Sequence, residues 1–186
     1  MTLPTLTIEQ QTRQWLEEVV IGLQLCPFAK APFQKNQIRF LVSQANSEEE
    51  LIQELIAECQ ILDANTHIET TLIICANLLD DFFDFCQFLN WAESTLKKNQ
   101  WRGIYQLANF HPHYMFNGCA YNDLQNFTNR APFPILHLLR EENISSMLAK
   151  YPEPELIPQR NVARMQQLSI DEQQRYFAYL FKNIDN

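Results

Sequence analysis

The sequence predicts an α/β fold, in which a single layer of three or four mainly parallel strands carries helices on its faces and the C-terminal part is helical. Three apolar runs of strand length support this fold, over residues 38–42, 70–76 and 104–110. Segments with helical periodicity separate these runs. Because a helix that links neighbouring strands of one sheet makes a right-handed crossover between parallel strands, the alternation predicts parallel neighbours.

Three helices are predicted in the N-terminal half. The first covers residues 8–25 and ends before Pro27, because the residue that precedes a proline disfavours helical dihedrals. A proline-punctuated loop over residues 30–36 follows. Ser47 and Glu50 form a capping-box pattern that opens the second helix. Asp80 and Asp81 open the third, since carboxylates stabilise the positive end of a helix dipole.

The C-terminal half is predicted to contain a fourth strand and three more helices. Residues 135–140 are too few for periodicity to separate a strand from the start of a helix, and we favour a strand. Asn143 is predicted to cap a helix that reaches residue 150. Helical patterns over residues 161–168 and 170–181 follow, and a Ser169/Glu172 capping box opens the second of them.

Length and charge restrict the classes of protein to which the chain can belong. With 186 residues, it fits one domain over residues 1–186. A net charge of −8 opposes binding to phosphate backbones and anionic lipid, so no nucleic-acid partner is expected. No run reaches the roughly 18 apolar residues of a membrane-spanning helix, so no membrane association is expected either. The oligomeric state stays open.

The cysteines predict the cellular location of the chain, and the glycines exclude two nucleotide-binding motifs. The five cysteines form no C-x-x-C pair and follow no apolar leader segment, which predicts a reducing, cytoplasmic location. The three glycines cannot assemble either the G-x-G-x-x-G turn or the phosphate-binding loop that ends in G-K-[ST]. Binding of NAD, FAD or a nucleotide through those devices is therefore excluded.

Chemistry is expected in residues 109–141, which contain three of the four histidines. His111 follows the third predicted strand, and strand ends are where ligands bind in sheets of this kind. His111 and His113 share one side of an extended backbone, and His137 with Glu141 would complete a ligand set for zinc or iron. Such a metal ion is possible, but His-x-His pairs are common by chance and the sequence does not favour one.

Cys26 is a candidate nucleophile, although a buried structural cysteine is the more common role. Cys26 follows the first predicted helix, and the negative end of a helix dipole disfavours a thiolate. A protonated His111 beside Cys26 would reverse that effect by lowering the pKa of the thiol. The alternative is a buried structural cysteine, which is the role predicted for Cys59, Cys75 and Cys86.

Two arginines are candidates for binding an anion. Arg130 is followed by two prolines that fix the local backbone, and Arg140 would supply a second cationic donor. The alternative is that either arginine pairs with Asp123, Glu141 or Glu142 and only stabilises the loop. Asp123 could equally cap a turn.

Three long motifs in the chain resemble the sequence pattern of a known protein family. They are LCPFAK at residues 25–30, QLANFHPHYMF at 106–116 and NRAPFPILHLLRE at 129–141. With these motifs the chain resembles the bacterial family called domain of unknown function fourteen-fifteen, over roughly residues 15–168. The matched positions are Cys26, His111, Tyr114, Asn129, Arg130, His137, Arg140 and Glu141. His113 falls on a variable position, which favours His111 and His137 as the pair, and the resemblance implies no activity.

Two hypotheses for function follow. In the first, the chain is an enzyme that acts on a small polar or anionic molecule. Its catalytic residues would be Cys26, His111, Tyr114 and His137, and its ligand-binding residues Asn129, Arg130, Arg140 and Glu141. In the second, it is a non-catalytic small-ligand-binding or interaction module, and the same side chains form a structural polar network.

Overall fold

The computed structural model of the chain describes residues 6–181, and four strands form one sheet within them. In chain order the strands are β1 (Ile38–Val42), β2 (Thr70–Ile74), β3 (Tyr105–Phe110) and β4 (Ile135–Arg140). Their order across the sheet is β1-β2-β4-β3. The prediction of three or four strands is therefore confirmed, with four strands, and the strand favoured at residues 135–140 is one of them.

The prediction of a mainly parallel sheet is wrong. Only β1 and β2 pair in parallel, whereas β4 runs antiparallel to both β2 and β3. The helix between β2 and β3 does link two strands of the same direction, as the crossover rule requires. However, β4 is inserted between them, because residues 111–134 turn the chain back along β3 and bring Ile135 opposite Phe110.

The helices lie mostly where the sequence predicts them. They are α1 (Ile8–Trp15), continued by a π-helical segment (Leu16–Ile21), α2 (Lys30–Gln34), α3 (Glu48–Ala64), α4 (Phe82–Lys98), α5 (Glu141–Leu148), α6 (Ile157–Gln166), α7 (Ile170–Tyr176) and α8 (Ala178–Phe181). Short 3₁₀ helices cover Leu124–Asn129 and Pro154–Leu156. Three predicted N-caps are present: the Ser47 and Asp81 side chains accept backbone N–H groups of α3 and α4, and Ser169 and Glu172 form a complete capping box. The Ser47/Glu50 box is incomplete, because the Glu50 carboxylate accepts the N–H of Asn46.

Several helix boundaries differ from the prediction. The first helix, with its π-helical segment, ends at Ile21 rather than at residue 25, and α6 covers Ile157–Gln166 rather than residues 161–168. Residues 30–36, expected to be a loop, contain the single turn of α2. Asn143 does not cap α5, because this helix begins at Glu141 directly after β4, and the Asn143 amide donates to Glu69 at 2.7 Å instead. The predicted helix over residues 170–181 is interrupted at Phe177, whose φ of −119° is not helical.

Two apolar cores lie on the two faces of the sheet. Alternate strand residues point to opposite faces, so Ile73 and Leu136 pack under α3 and α4, while Leu72 and Ile135 pack under α1, α6 and α7. All five residues of β2 are buried, as predicted for a central strand covered on both sides. Among the helices of residues 6–181, none combines the length and the apolar character needed to span a membrane.

Candidate functional site

His111 is fully buried, and both of its ring nitrogens are already hydrogen bonded. Nδ1 accepts the backbone N–H of His113 at 3.0 Å, and Nε2 lies 2.9 Å from the carbonyl oxygen of Leu79. These partners require Nε2 to carry the proton. The ring packs against Phe82 and Phe85 of α4. Burial lowers the pKa of His111, so the ring is held neutral in one tautomer.

Arg130 is also buried, at 3% exposure, and its guanidinium binds backbone rather than carboxylate. Nε donates to the carbonyl of Tyr114 at 3.3 Å and Nη2 to the carbonyl of Tyr121 at 2.7 Å, while the rings of Tyr121 and Phe127 lie 4.5 and 4.6 Å from the guanidinium carbon. The alternative of an ion pair with Asp123 is wrong for the described part of the chain. Asp123 caps the 3₁₀ helix after it, which confirms the turn-capping interpretation.

Tyr114 and Asn129 belong to the same network. The carbonyl of Asn129 accepts the backbone N–H of His111 at 3.2 Å, and its side-chain oxygen accepts the Thr128 hydroxyl at 3.0 Å. The Tyr114 ring packs between Phe82 and Phe116, and burial raises the pKa of its hydroxyl. His111, Tyr114, Asn129 and Arg130 therefore lie together, as one polar network that closes residues 111–130 into a compact loop.

Arg140 and Glu141 lie away from this network. The Arg140 guanidinium donates to three backbone carbonyls at and beyond the end of α3, those of Leu62, Asn65 and Ile68, at 2.6, 3.1 and 3.2 Å. It thereby satisfies carbonyls that a helix end leaves without partners. Glu141 is the first residue of α5, and its N–H donates to the carbonyl of Ile104. Arg140 forms no ion pair with an acidic side chain of residues 6–181, so that alternative is also wrong.

Cys26 and His137 line one cavity of about 190 Å³ on the α1 side of the sheet, whereas His111 packs on the α4 side. Most of this apolar cavity is formed by carbon atoms of side chains such as Trp15, Leu72 and Phe110. Nε2 of His137 is buried there without a hydrogen-bond partner. Burial also lowers the pKa of His137 to about 4, so this ring is neutral at pH 7.

Cys26 also lines a second, larger cavity of about 810 Å³. The backbone turns towards Cys26 at Gln24, which has a left-handed φ of 60°. Burial raises the pKa of the Cys26 thiol, and backbone N–H groups of Phe28 and Ala29 only partly oppose that effect. The thiol is therefore protonated at pH 7 and forms part of the wall that the two cavities share.

The larger cavity, called the cationic cavity below, is lined by Lys30, Arg160 and Arg164. The sequence analysis missed these three residues as ligand candidates. One signal was present: Arg160 and Arg164 are spaced i, i+4 beside a predicted helix of an acidic chain, which places both on one helix face. Lys30 is the last residue of the motif at 25–30, but nothing in the sequence indicates that it faces α6.

The predicted site residues thus fall into separate groups rather than one constellation. Cys26 and His137 line the same apolar cavity, whereas the network of His111, Tyr114, Asn129 and Arg130 lies elsewhere. Within residues 6–181, no three His, Cys, Asp or Glu side chains are grouped so that they could hold a metal ion.

These features define an α/β protein with a cationic cavity and an apolar cavity on either side of one thiol. A family model described as protein of unknown function (DUF1415) matches residues 7–175, and the chain belongs to that family. No curated protein and no solved structure matches the chain significantly.

Proposed function

We propose that the chain binds a small anionic molecule in the cationic cavity. The observation that carries this proposal is the charge of the cavity wall. Lys30, Arg160 and Arg164 line it together, and no Asp or Glu of residues 6–181 does. The whole chain has a net charge of −8, so this concentration of positive charge opposes the average of the molecule.

The cationic side chains are available to a ligand. Arg160 pairs with Glu153 at 2.8 Å, but both side chains are largely exposed, and a surface ion pair of this kind costs little to exchange. Lys30 and Arg164 form no ion pair with any described residue. Guanidinium groups bind carboxylate and phosphate through paired hydrogen bonds, so these two ligand groups fit the cavity best.

Binding explains the surroundings of Cys26 better than catalysis does. A cysteine nucleophile needs a lowered thiol pKa and a base within hydrogen-bonding distance. Burial raises the pKa of the Cys26 thiol, and His111, the acid or base that the enzyme hypothesis assigns to it, packs on the far side of the sheet. The proposed protein is therefore a small-ligand-binding module, and its polar loop at residues 111–130 is structural.

The test is a titration of ¹⁵N-labelled protein with inorganic phosphate and, separately, with citrate. We expect saturable shifts confined to residues 21–30 and 160–167, and a dissociation constant about tenfold or more higher in the double variant Lys30→Gln/Arg164→Gln, because two charge-assisted hydrogen bonds are lost. Lys97→Gln/Lys98→Gln is the matched control, since these exposed lysines lie at the end of α4. Equal affinities in both double variants, or no saturation with either anion, would contradict the proposal.

A further inference from the structure

The apolar cavity beside His137 has the size of a small-molecule site. Its volume is about 190 Å³. Buried apolar cavities of about 150 Å³ in proteins remain free of water and bind benzene. This cavity is therefore large enough for one six-membered ring with a substituent. α2 contributes Pro32 to its wall, and α5 contributes Ile144 and Met147.

The wall favours an aromatic ring. Trp15 and Phe110 form an edge-to-face pair with centroids 5.0 Å apart, and Phe110 lies 6.2 Å from the His137 ring. A ligand ring in the cavity would extend this arrangement of tilted rings. The sulfur atoms of Cys26 and Met147, which also line the cavity, contact aromatic rings favourably.

The His137 ring lines the cavity and makes no side-chain hydrogen bond with any other residue of 6–181. Nε2 of His137 is buried and makes no hydrogen bond in the structure. Its neighbours across the sheet, Leu72 and Ala108, have side chains without polar atoms. A buried polar group without a partner requires an explanation, and a functional role is one of them.

Charged ligands do not fit this cavity. Its two charged residues are already engaged: the Arg140 guanidinium binds three backbone carbonyls, and the Glu69 carboxylate accepts the Asn143 amide at 2.7 Å. The remaining wall offers apolar groups, a protonated thiol and a neutral imidazole. Transfer of an ion into such surroundings without a counter-ion is unfavourable.

We infer that the apolar cavity is a second binding site, which takes a small neutral aromatic molecule with one hydroxyl group, of the phenol class, hydrogen bonded to the His137 ring. This site is distinct from the cationic cavity and does not depend on the proposed anion binding. The hydroxyl supplies the partner that the imidazole lacks, and the ring fills the apolar volume.

The test compares three probes of similar size by calorimetric and NMR titration: phenol, toluene and benzoate. Phenol is expected to bind with shifts at Cys26, Ala108 and His137, and toluene about tenfold more weakly, since it lacks the hydroxyl. Benzoate is expected not to enter this cavity. In His137→Leu, the preference for phenol over toluene should disappear, whereas His113→Leu, which changes an exposed histidine outside the cavity, should keep it.

A second variant covers the case in which His137→Leu does not fold. Ile144→Trp, on α5 at the cavity wall, should abolish phenol binding by filling the volume while phosphate binding at Lys30 and Arg164 persists. Failure of wild-type protein to bind phenol would overturn the inference. So would equal affinity for phenol and toluene in the wild type, or undiminished phenol binding in Ile144→Trp.

Discussion

The indole nitrogen of Trp15 donates a hydrogen bond of 3.0 Å to the carbonyl oxygen of Arg130, a residue 115 positions later in the chain. The hydroxyl of Tyr179 donates to the same oxygen at 3.2 Å. One carbonyl therefore joins α1, the polar loop and α8. Since Trp15 also lines the apolar cavity, this pair of bonds connects the loop network with that cavity.

Removal of both donors should destabilise the protein by more than the sum of the single changes. Trp15→Phe and Tyr179→Phe each leave the Arg130 carbonyl with one partner, and we expect each to lower the free energy of unfolding by about 1 kcal/mol for the lost bond, with an added packing cost for Trp15. The double variant leaves the carbonyl without a donor, so a positive coupling energy is expected. Urea unfolding of all four proteins measures it, and strict additivity would contradict the shared-acceptor arrangement.

The Arg130 guanidinium should contribute to stability through the carbonyls it binds. Arg130→Met removes the donors to Tyr114 and Tyr121, and we expect a loss of about 2–4 kcal/mol in the free energy of unfolding. Arg130→Lys should cost at least as much, because it keeps a buried charge that cannot reach both carbonyls. The matched control is Arg13→Met: Arg13 is 42% exposed and paired with Glu9, so less than about 1 kcal/mol is expected. Similar losses in all three variants would argue against the structural role of Arg130.

His137 should make the fold sensitive to acid. Burial lowers its pKa in the folded state to about 4, from an ordinary value of 6.5. Below pH 6.5 the unfolded chain takes up a proton that the folded chain does not accept until about pH 4. The free energy of unfolding should therefore fall as the pH is lowered through this window, by up to about 3 kcal/mol, and show no further contribution from this group above pH 6.5.

The check is a set of urea titrations between pH 4 and 7 on the wild type, His137→Phe and His67→Gln. His137→Phe should reduce the slope, although His111, whose pKa burial also lowers, leaves a remainder of the same sign. His67→Gln changes an exposed histidine and should keep the full slope. An unchanged slope in His137→Phe would show that this ring is protonated equally in both states.

The Cys26 thiol should react slowly with alkylating agents at neutral pH. Burial raises its pKa, and only the thiolate is nucleophilic, so iodoacetamide should modify it about tenfold or more slowly than free cysteine at pH 7.5, with a rate that rises beyond pH 9. Peptide mass spectrometry separates Cys26 from the other cysteines, and the urea-unfolded protein provides the fully reactive reference. A fast reaction at pH 7 that His111→Gln abolishes would instead support the catalytic pairing of Cys26 with His111.

Local patterns in the sequence were sufficient for most elements. Residues 38–42 and 135–140 form strands where predicted, and Ser47, Asp81 and Ser169 cap helices. A cap is decided by a side chain and backbone groups three residues away, and the burial of a strand is recorded in its own composition. The long motifs were likewise sufficient for the family, since the family model matches residues 7–175.

The tertiary structure alone decided the direction of β4, the separation of His111 from His137 and the meeting of Lys30 with Arg164 in one cavity. The sequence shows that an apolar residue prefers burial and that a histidine or cysteine can react. It does not show which distant segment such a residue faces. That choice depends on how two helix-covered faces pack around one sheet and on the register of strand pairing: β4 pairs His137 with Ala108, and because side chains alternate between faces, His111 lies on the opposite face.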